Sequence, residues 1–282
     1  MSETIAIEVG NQVPDFVATL DAISAALHLN DLRSLEDVPP PGEPWPEGIR
    51  HLFREEVSTR TTEITSSGGE LTVRMFSLAS PEDVELAIAV VTYIAEHAGV
   101  SEVASESRGA IAVSELANVY DATWIDNQLR SGHGALGTLV REGKGPIEMP
   151  GPNRSFVVGA RVLLQLGTDK PHVQLLEAIR RVQWIPIRSG SVFTAQAKSD
   201  QREIKIAMWL GEELVFPYVE FCGIAIDPGA DKPAVFMIPA ARVPELAGDR
   251  WTAIDERQGI IADVGGEWAA VVEAARKFEV TP

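Results

Sequence analysis

The chain has a single cysteine, Cys222, so it cannot form an intrachain disulfide. That cysteine lies among apolar residues, where a free thiol behaves as a small buried hydrophobe rather than as a nucleophile. No apolar run approaches the roughly 20 residues needed to span a bilayer. Met1 to Gly10 carries acids and no basic residue, which does not read as a secretory signal. Together these features predict a cytoplasmic protein without membrane association.

Several catalytic and binding motifs are also missing. There is no GxxxxGK[ST] loop to cradle phosphates, no HExxH pair to hold zinc and no GxSxG elbow to present a nucleophilic serine. The five histidines, His28, His51, His97, His133 and His172, are too far apart in sequence to form a local metal pair. No metal, cofactor or catalytic residue is therefore expected, and no motif assigns the chain to a family.

Lysine is absent from residues 1–107, and this absence shapes the charge. That stretch holds 19 Asp and Glu against 5 Arg, a net charge of −14, whereas residues 108–282 hold 22 acids against 19 bases, a net charge of −3. Such a field opposes nucleic acid and anionic lipid and favours encounter with a basic protein partner.

What is present reads as an α+β protein. With 45% hydrophobic and 23% charged residues, the composition is that of a folded globular chain. The clearest stretch is Glu70 to Ser107. Leu71, Val73 and Met75 alternate with Thr72, Arg74 and Phe76, the two-residue period of a strand. Ser80 and Pro81 then open a helix, with Glu82 and Asp83 at the positive end of its dipole. Val84, Ala87, Ile88, Val91, Ile94, Ala95 and Ala98 recur at helical spacing, Gly99 stops the helix, and Val100 and Val103 begin another extended segment.

Before that stretch, Thr4 to Val9 reads as a strand and Pro14-Asp15 opens a helix carrying Phe16, Leu20, Ile23 and Leu27. A loop dense in proline, Pro39 to Pro46, serves as a semi-rigid connection. Phe53 to Thr65 reads as one threonine-rich extended segment, and Ser66-Ser67-Gly68-Gly69 turns it back. The order strand, helix, strand, strand, helix, strand predicts a ferredoxin-like (βαββαβ) domain over residues 1–107. In that arrangement the strand before the Ser66–Gly69 turn lies at a sheet edge.

Residues 108–150 read as a helical and glycine-rich connection, with a helix over Val113 to Leu129. Gly132-His133-Gly134-Ala135-Leu136-Gly137 spells the dinucleotide fingerprint, but the preceding residues look helical and Glu148 falls in a loop, so a flexible connection is expected instead. Residues 151–282 read as a second, mostly antiparallel α+β domain, with a helix from about Pro171 to Val182, strands at Val192 to Lys198, Glu203 to Leu210, Leu214 to Ile226, Ala234 to Ile238, Trp251 to Ile254 and Ile260 to Val264, and a closing helix from Gly266 to Phe278. Pro217 implies an edge or a bulge in the third of these strands. The tryptophans Trp184, Trp209, Trp251 and Trp268 read as core. The acidic pairs Glu55-Glu56, Glu212-Glu213 and Asp255-Glu256 are poor carboxylate dyads, since strand neighbours point to opposite faces, and read as solvated turns and edges.

The expected function is non-enzymatic binding of a basic protein, such as an acidic inhibitor or immunity protein would perform, with Glu55, Glu56 and Glu63 as the contributing carboxylates. The competing expectation is an enzyme or small-molecule-binding protein with its site in the cleft between domains.

Overall fold

Ile5 and Ile7 of strand β1 (Glu3–Glu8) point to one side and are fully buried, while Thr4 and Ala6 point to the other. This alternation organises a seven-stranded sheet in the computed structural model, which describes residues 2–198 and 200–282. Its other strands are β2 (Leu32–Ser34), β3 (Gly48–Arg54), β4 (Thr62–Ser67), β5 (Glu70–Met75), β6 (Glu102–Ser105) and β7 (Gly109–Ala112). They lie in the order β2-β3-β4-β5-β1-β6-β7, and every pairing is antiparallel. Ile5 sits opposite Val73, and Val73 opposite Ile64, so one face presents a continuous apolar row. Helices α1 (Phe16–Ala26) and α2 (Pro81–His97) pack on that row through Phe16, Ile23, Val84, Ala87, Val91 and Ile94.

The proline-dense loop is anchored by Trp45, which is buried and meets Phe16 edge-to-face at 4.7 Å between ring centres. Two readings of this half need correction. Phe53 to Thr65 is not one strand but the end of β3, a buried loop and the start of β4. Ser58 and Thr59 are fully buried in that loop, and the Ser58 hydroxyl accepts from the Arg54 N–H at 2.8 Å, which ends β3. The strand before the Ser66–Gly69 turn is β4, and it is not an edge: β3 pairs along it and β2 along β3.

After β7 the chain forms α3 (Leu116–Val119) and α4 (Ala122–Arg141). The single helix expected over Val113 to Leu129 breaks at Tyr120, because Asp121 caps a new helix by accepting from the Trp124 N–H at 2.9 Å. The elements β8 (Ile147–Met149), β9 (Phe156–Val158), α5 (Ala160–Gln165) and α6 (Pro171–Gln183) follow. The chain divides into two compact units, Met1–Phe156 with Leu163–Trp184, and Val157–Val162 with Ile185–Pro282.

The second unit holds β10 (Val192–Gln196), β11 (Glu203–Trp209), β12 (Leu214–Phe216), β13 (Phe221–Ala225), β14 (Val235–Pro239), α7 (Val243–Ala247), β15 (Trp251–Ala253), β16 (Gly259–Ile261) and α8 (Trp268–Ala275). One sheet runs β10-β11-β13-β14 with only β11 and β13 parallel, and a second runs β12-β16-β15. The strand expected from Leu214 to Ile226 is split at Pro217, whose missing N–H cannot continue a ladder, into β12 and β13 in different sheets. Trp209 and Trp268 pack edge-to-face at 5.2 Å, and the Trp268 indole N–H donates to the Ala225 carbonyl at 2.9 Å. Gly211, at φ 92°, leaves room for that indole, since a Cβ there would stand 3.0 Å from it.

Candidate functional site

Helices α1 and α2 are fixed at their N-termini by carboxylates. Asp15 accepts from the Ala18 N–H at 2.6 Å to start α1. Ser80 and Asp83 form a reciprocal capping box on α2, in which Ser80 Oγ accepts from the Asp83 N–H at 3.1 Å and Asp83 Oδ2 from the Ser80 N–H at 2.9 Å. Asp83 does more than cap. The same oxygen accepts from the Thr59 and Arg60 N–H groups at 3.0 and 3.1 Å and from the Thr59 hydroxyl at 2.9 Å, which ties the β3–β4 loop to the head of α2. Arg60 is buried beside it, donates to the Ser77 carbonyl at 3.2 Å and lies over the Phe76 ring; burial pushes its pKa down to about 10.

With both helices held this way, α2 has more apolar surface than the sheet can cover. Leu86 and Val90 are fully buried along with Ala87, Val91, Ile94 and Ala95 of the expected core stripe, whereas Ile88 of that stripe, Ala89 and Tyr93 are only half-buried. These last residues, with Ala22 and Ala26 of α1 and Leu27 just after it, form the floor of an open groove of about 600 Å³. Ala117, Tyr120 and Ile125 close one side, and Glu82, Glu85 and Glu96 of α2 stand along it. Among the described residues, no basic one lines the groove. Glu82 is paired with Arg180 at 2.8 Å, whereas Glu85 and Glu96 are exposed.

The groove offers apolar contact and negative charge. Its phenol, Tyr120, donates at 3.1 Å to the buried Glu3 carboxylate, and burial, aided by that carboxylate, pushes its pKa up to about 12. Glu3 also accepts from the Ser105 hydroxyl at 2.6 Å, so the pair is a structural brace between β1, β6 and the residue that ends α3. This arrangement suits an apolar segment flanked by cations, the mode in which a helix lays one face into a groove.

The three carboxylates expected from the sequence lie elsewhere in this unit. Glu55 follows β3 and pairs with Arg33 at 2.9 Å; Glu56 is exposed in the loop at φ 60°. Glu63 is on the sheet face opposite the helices, in a cross-strand row set by register, between His51 at 3.6 Å and Arg74 at 3.7 Å. The structure does not bring the three together at the groove.

The glycine motif lies inside α4, where Gly132 is buried and a Cβ would come within 3.1 Å of Leu78. It is not the flexible connection expected, nor the strand-to-helix turn that grips a pyrophosphate, because Asp121 starts the helix eleven positions earlier. His172 is buried and bonded to Asp126 at 3.0 Å. Burial raises the pKa of the Cys222 thiol. Among the described residues no group of three His, Cys, Asp or Glu is placed to hold a metal ion, and no helix is long and apolar enough to cross a membrane. One acidic pair departs from the expected solvated turn: Asp255 is buried and accepts from the backbone of Val157, Arg257 and Gln258 at 2.8, 2.9 and 2.7 Å. Trp184 and Trp251 are half-buried, not full members of a core.

Comparison of the chain with protein-family models, with curated proteins and with solved structures finds no match.

Proposed function

We propose that this protein is a non-enzymatic binding module whose acidic N-terminal unit takes a basic protein partner, the action of an acidic inhibitor or immunity protein. The observation that carries this reading is the groove along α2, with an apolar floor, exposed carboxylates at Glu85 and Glu96, and no basic residue among the described residues of its lining. Apolar burial would supply affinity there, and charge would supply encounter rate and selectivity for a cationic surface. Glu55, Glu56 and Glu63 extend the same negative field and steer the partner without touching it in the groove. The strand sub-order β4-β5-β1-β6, with α1 and α2 on one face, supports a ferredoxin-like core in which β2–β3 and β7 lengthen the two edges. A single buried thiol agrees with a cytoplasmic setting.

The test uses a synthetic amphipathic helix with leucines on one face and lysines on the other, followed by fluorescence anisotropy. Saturable binding is expected, weakening steeply as salt shortens the reach of the field from ~30 Å at 0.01 M to ~8 Å at 0.15 M. The double variant Glu85→Gln, Glu96→Gln should bind roughly tenfold more weakly, and Ala26→Trp, which fills the groove from an exposed position, should bind more weakly still. Equal binding by wild type and Ala26→Trp would refute the groove as the docking surface.

A further inference from the structure

The second unit has its own cleft, of about 470 Å³, in the size range of small-ligand sites. Arg161, Tyr218, Glu220, Trp251, Glu256 and Arg257 supply its functional groups, among prolines and alanines from the ends of β12 and β14. The charges in it are unequally committed. Glu220 accepts from the Lys205 N–H at 2.7 Å and from Arg202 at 3.2 Å. Glu256 accepts from the Val162 N–H at 3.1 Å, and its carboxyl carbon occupies the space over Gly159, 2.3 Å from where a Cβ would stand. Both carboxylates are therefore engaged in holding backbone.

The arginines of the cleft differ from the rest of the unit. Of the seven arginines in this unit, five are ion-paired: Arg188 with Glu212, Arg202 with Glu220, Arg242 with Glu245, Arg250 with Glu267 and Arg276 with Glu279. Arg161 and Arg257 are the two without an ion pair among the described residues, and both line this cleft. Their backbones are nevertheless fixed, since the Arg257 N–H donates to the buried Asp255 and the neighbouring Val162 N–H to Glu256.

The ring beside them is also fixed. The Trp251 indole lies over Gly259, where a Cβ would fall 2.4 Å from it, and meets Phe216 edge-to-face at 6.3 Å. A positioned indole beside two uncommitted guanidiniums is an arrangement for a flat ring joined to an anion: the ring packs on the indole and the guanidiniums take the oxygens in forked hydrogen bonds.

We propose that this cleft binds a small ring-bearing anion, a carboxylate or phosphate ester no larger than a mononucleotide, in a site independent of the groove in the first unit. Isothermal titration with AMP and with phenylacetate tests it, with adenosine and inorganic phosphate as the parts of the probe lacking either charge or ring. At least one ring-bearing anion should saturate at sub-millimolar concentration, and each isolated part should bind roughly tenfold more weakly or worse. AMP alone would assign the site to phosphate esters, phenylacetate alone to carboxylates. Arg161→Gln combined with Arg257→Gln should abolish saturation while leaving the melting temperature unchanged, because neither side chain makes an ion pair among the described residues. Trp251→Leu should weaken the ring-bearing probe and leave inorganic phosphate unaffected. Failure of both AMP and phenylacetate to saturate, or binding that survives the double arginine variant, would overturn the proposal.

Discussion

Asp83 and Asp255 hold similar positions in the two units, each buried at 2% exposure and each gathering the backbone N–H groups of a loop. Asp83 does so at the head of a 17-residue helix, whose dipole favours a negative charge at that end. Asp255 sits in the turn between β15 and β16 with no helix behind it, and burial raises its pKa despite the donors around it. The surrounding charge differs as well. The first unit sets exposed carboxylates beside an apolar groove, whereas the second sets beside an indole two guanidiniums without an ion pair among the described residues. A common device for holding loops therefore supports two surfaces of opposite chemical preference, and the net acidity of the chain conceals the second.

Removing the hubs tests the structural half of this comparison. Asp83→Ala should have the largest effect, about 4 kcal/mol of lost stability, because it removes the carboxylate half of the capping box on α2 and leaves the buried Thr59, Arg60 and Ser80 donors unsatisfied. Urea unfolding measures it, and a loss below about 1 kcal/mol would mean the loop is held by other contacts. Asp255→Asn should cost less, about 2 kcal/mol, since one carboxylate oxygen becomes an NH₂ facing donors. This gap should depend on pH. A folded-state pKa above the unfolded value stabilises the fold fully below the unfolded pKa, near ~4, and that contribution is lost as pH rises through the folded value. The difference between wild type and variant should accordingly be widest in acid and narrow with rising pH; a constant difference would remove Asp255 as the titrating group.

Smaller effects separate steering from contact. Replacing Glu55, Glu56 and Glu63 with Gln should slow association with the lysine–leucine helix by up to roughly tenfold at low salt and leave its dissociation rate unchanged. A changed dissociation rate would move the contact surface to the sheet face that bears Glu63. The smallest expected signal is that of Cys222, fully buried with its thiol pKa raised, which should react with an aromatic disulfide reagent only after unfolding. Prompt labelling of the native protein would show that the core of the second unit opens readily.

The residues that announced the fold were those with local signatures. The alternation at Leu71 to Met75 and the Ser80-Pro81-Asp83 sequence mark a strand and a helix start, and both lie where those signatures place them. Local signatures stop there. The bonds from Asp83 to Thr59 and Arg60 span 24 and 23 residues, so nothing near Asp83 in sequence reveals its second role. Phe53 to Thr65 carried no glycine or proline to mark the break between β3 and β4, which comes instead from Ser58 bonding back to Arg54. For the groove, a partial signal did exist: α2 is apolar well beyond one stripe, and Tyr93, outside the set assigned to the core, lines the groove, whereas Leu86 and Val90 are buried in the core. Arg161 and Arg257 gave no such hint, because which arginines remain unpaired depends on where every carboxylate comes to rest.

The central claim, that the acidic unit docks its partner along α1 and α2, is tested most directly by hydrogen–deuterium exchange of the full chain with and without the saturating lysine–leucine helix. Added protection is expected in peptides covering Phe16 to Leu27 and Pro81 to His97, with peptides from β10 to β14 unchanged. Protection confined to the loop at Glu55 and Glu56, or to the second unit, would contradict it.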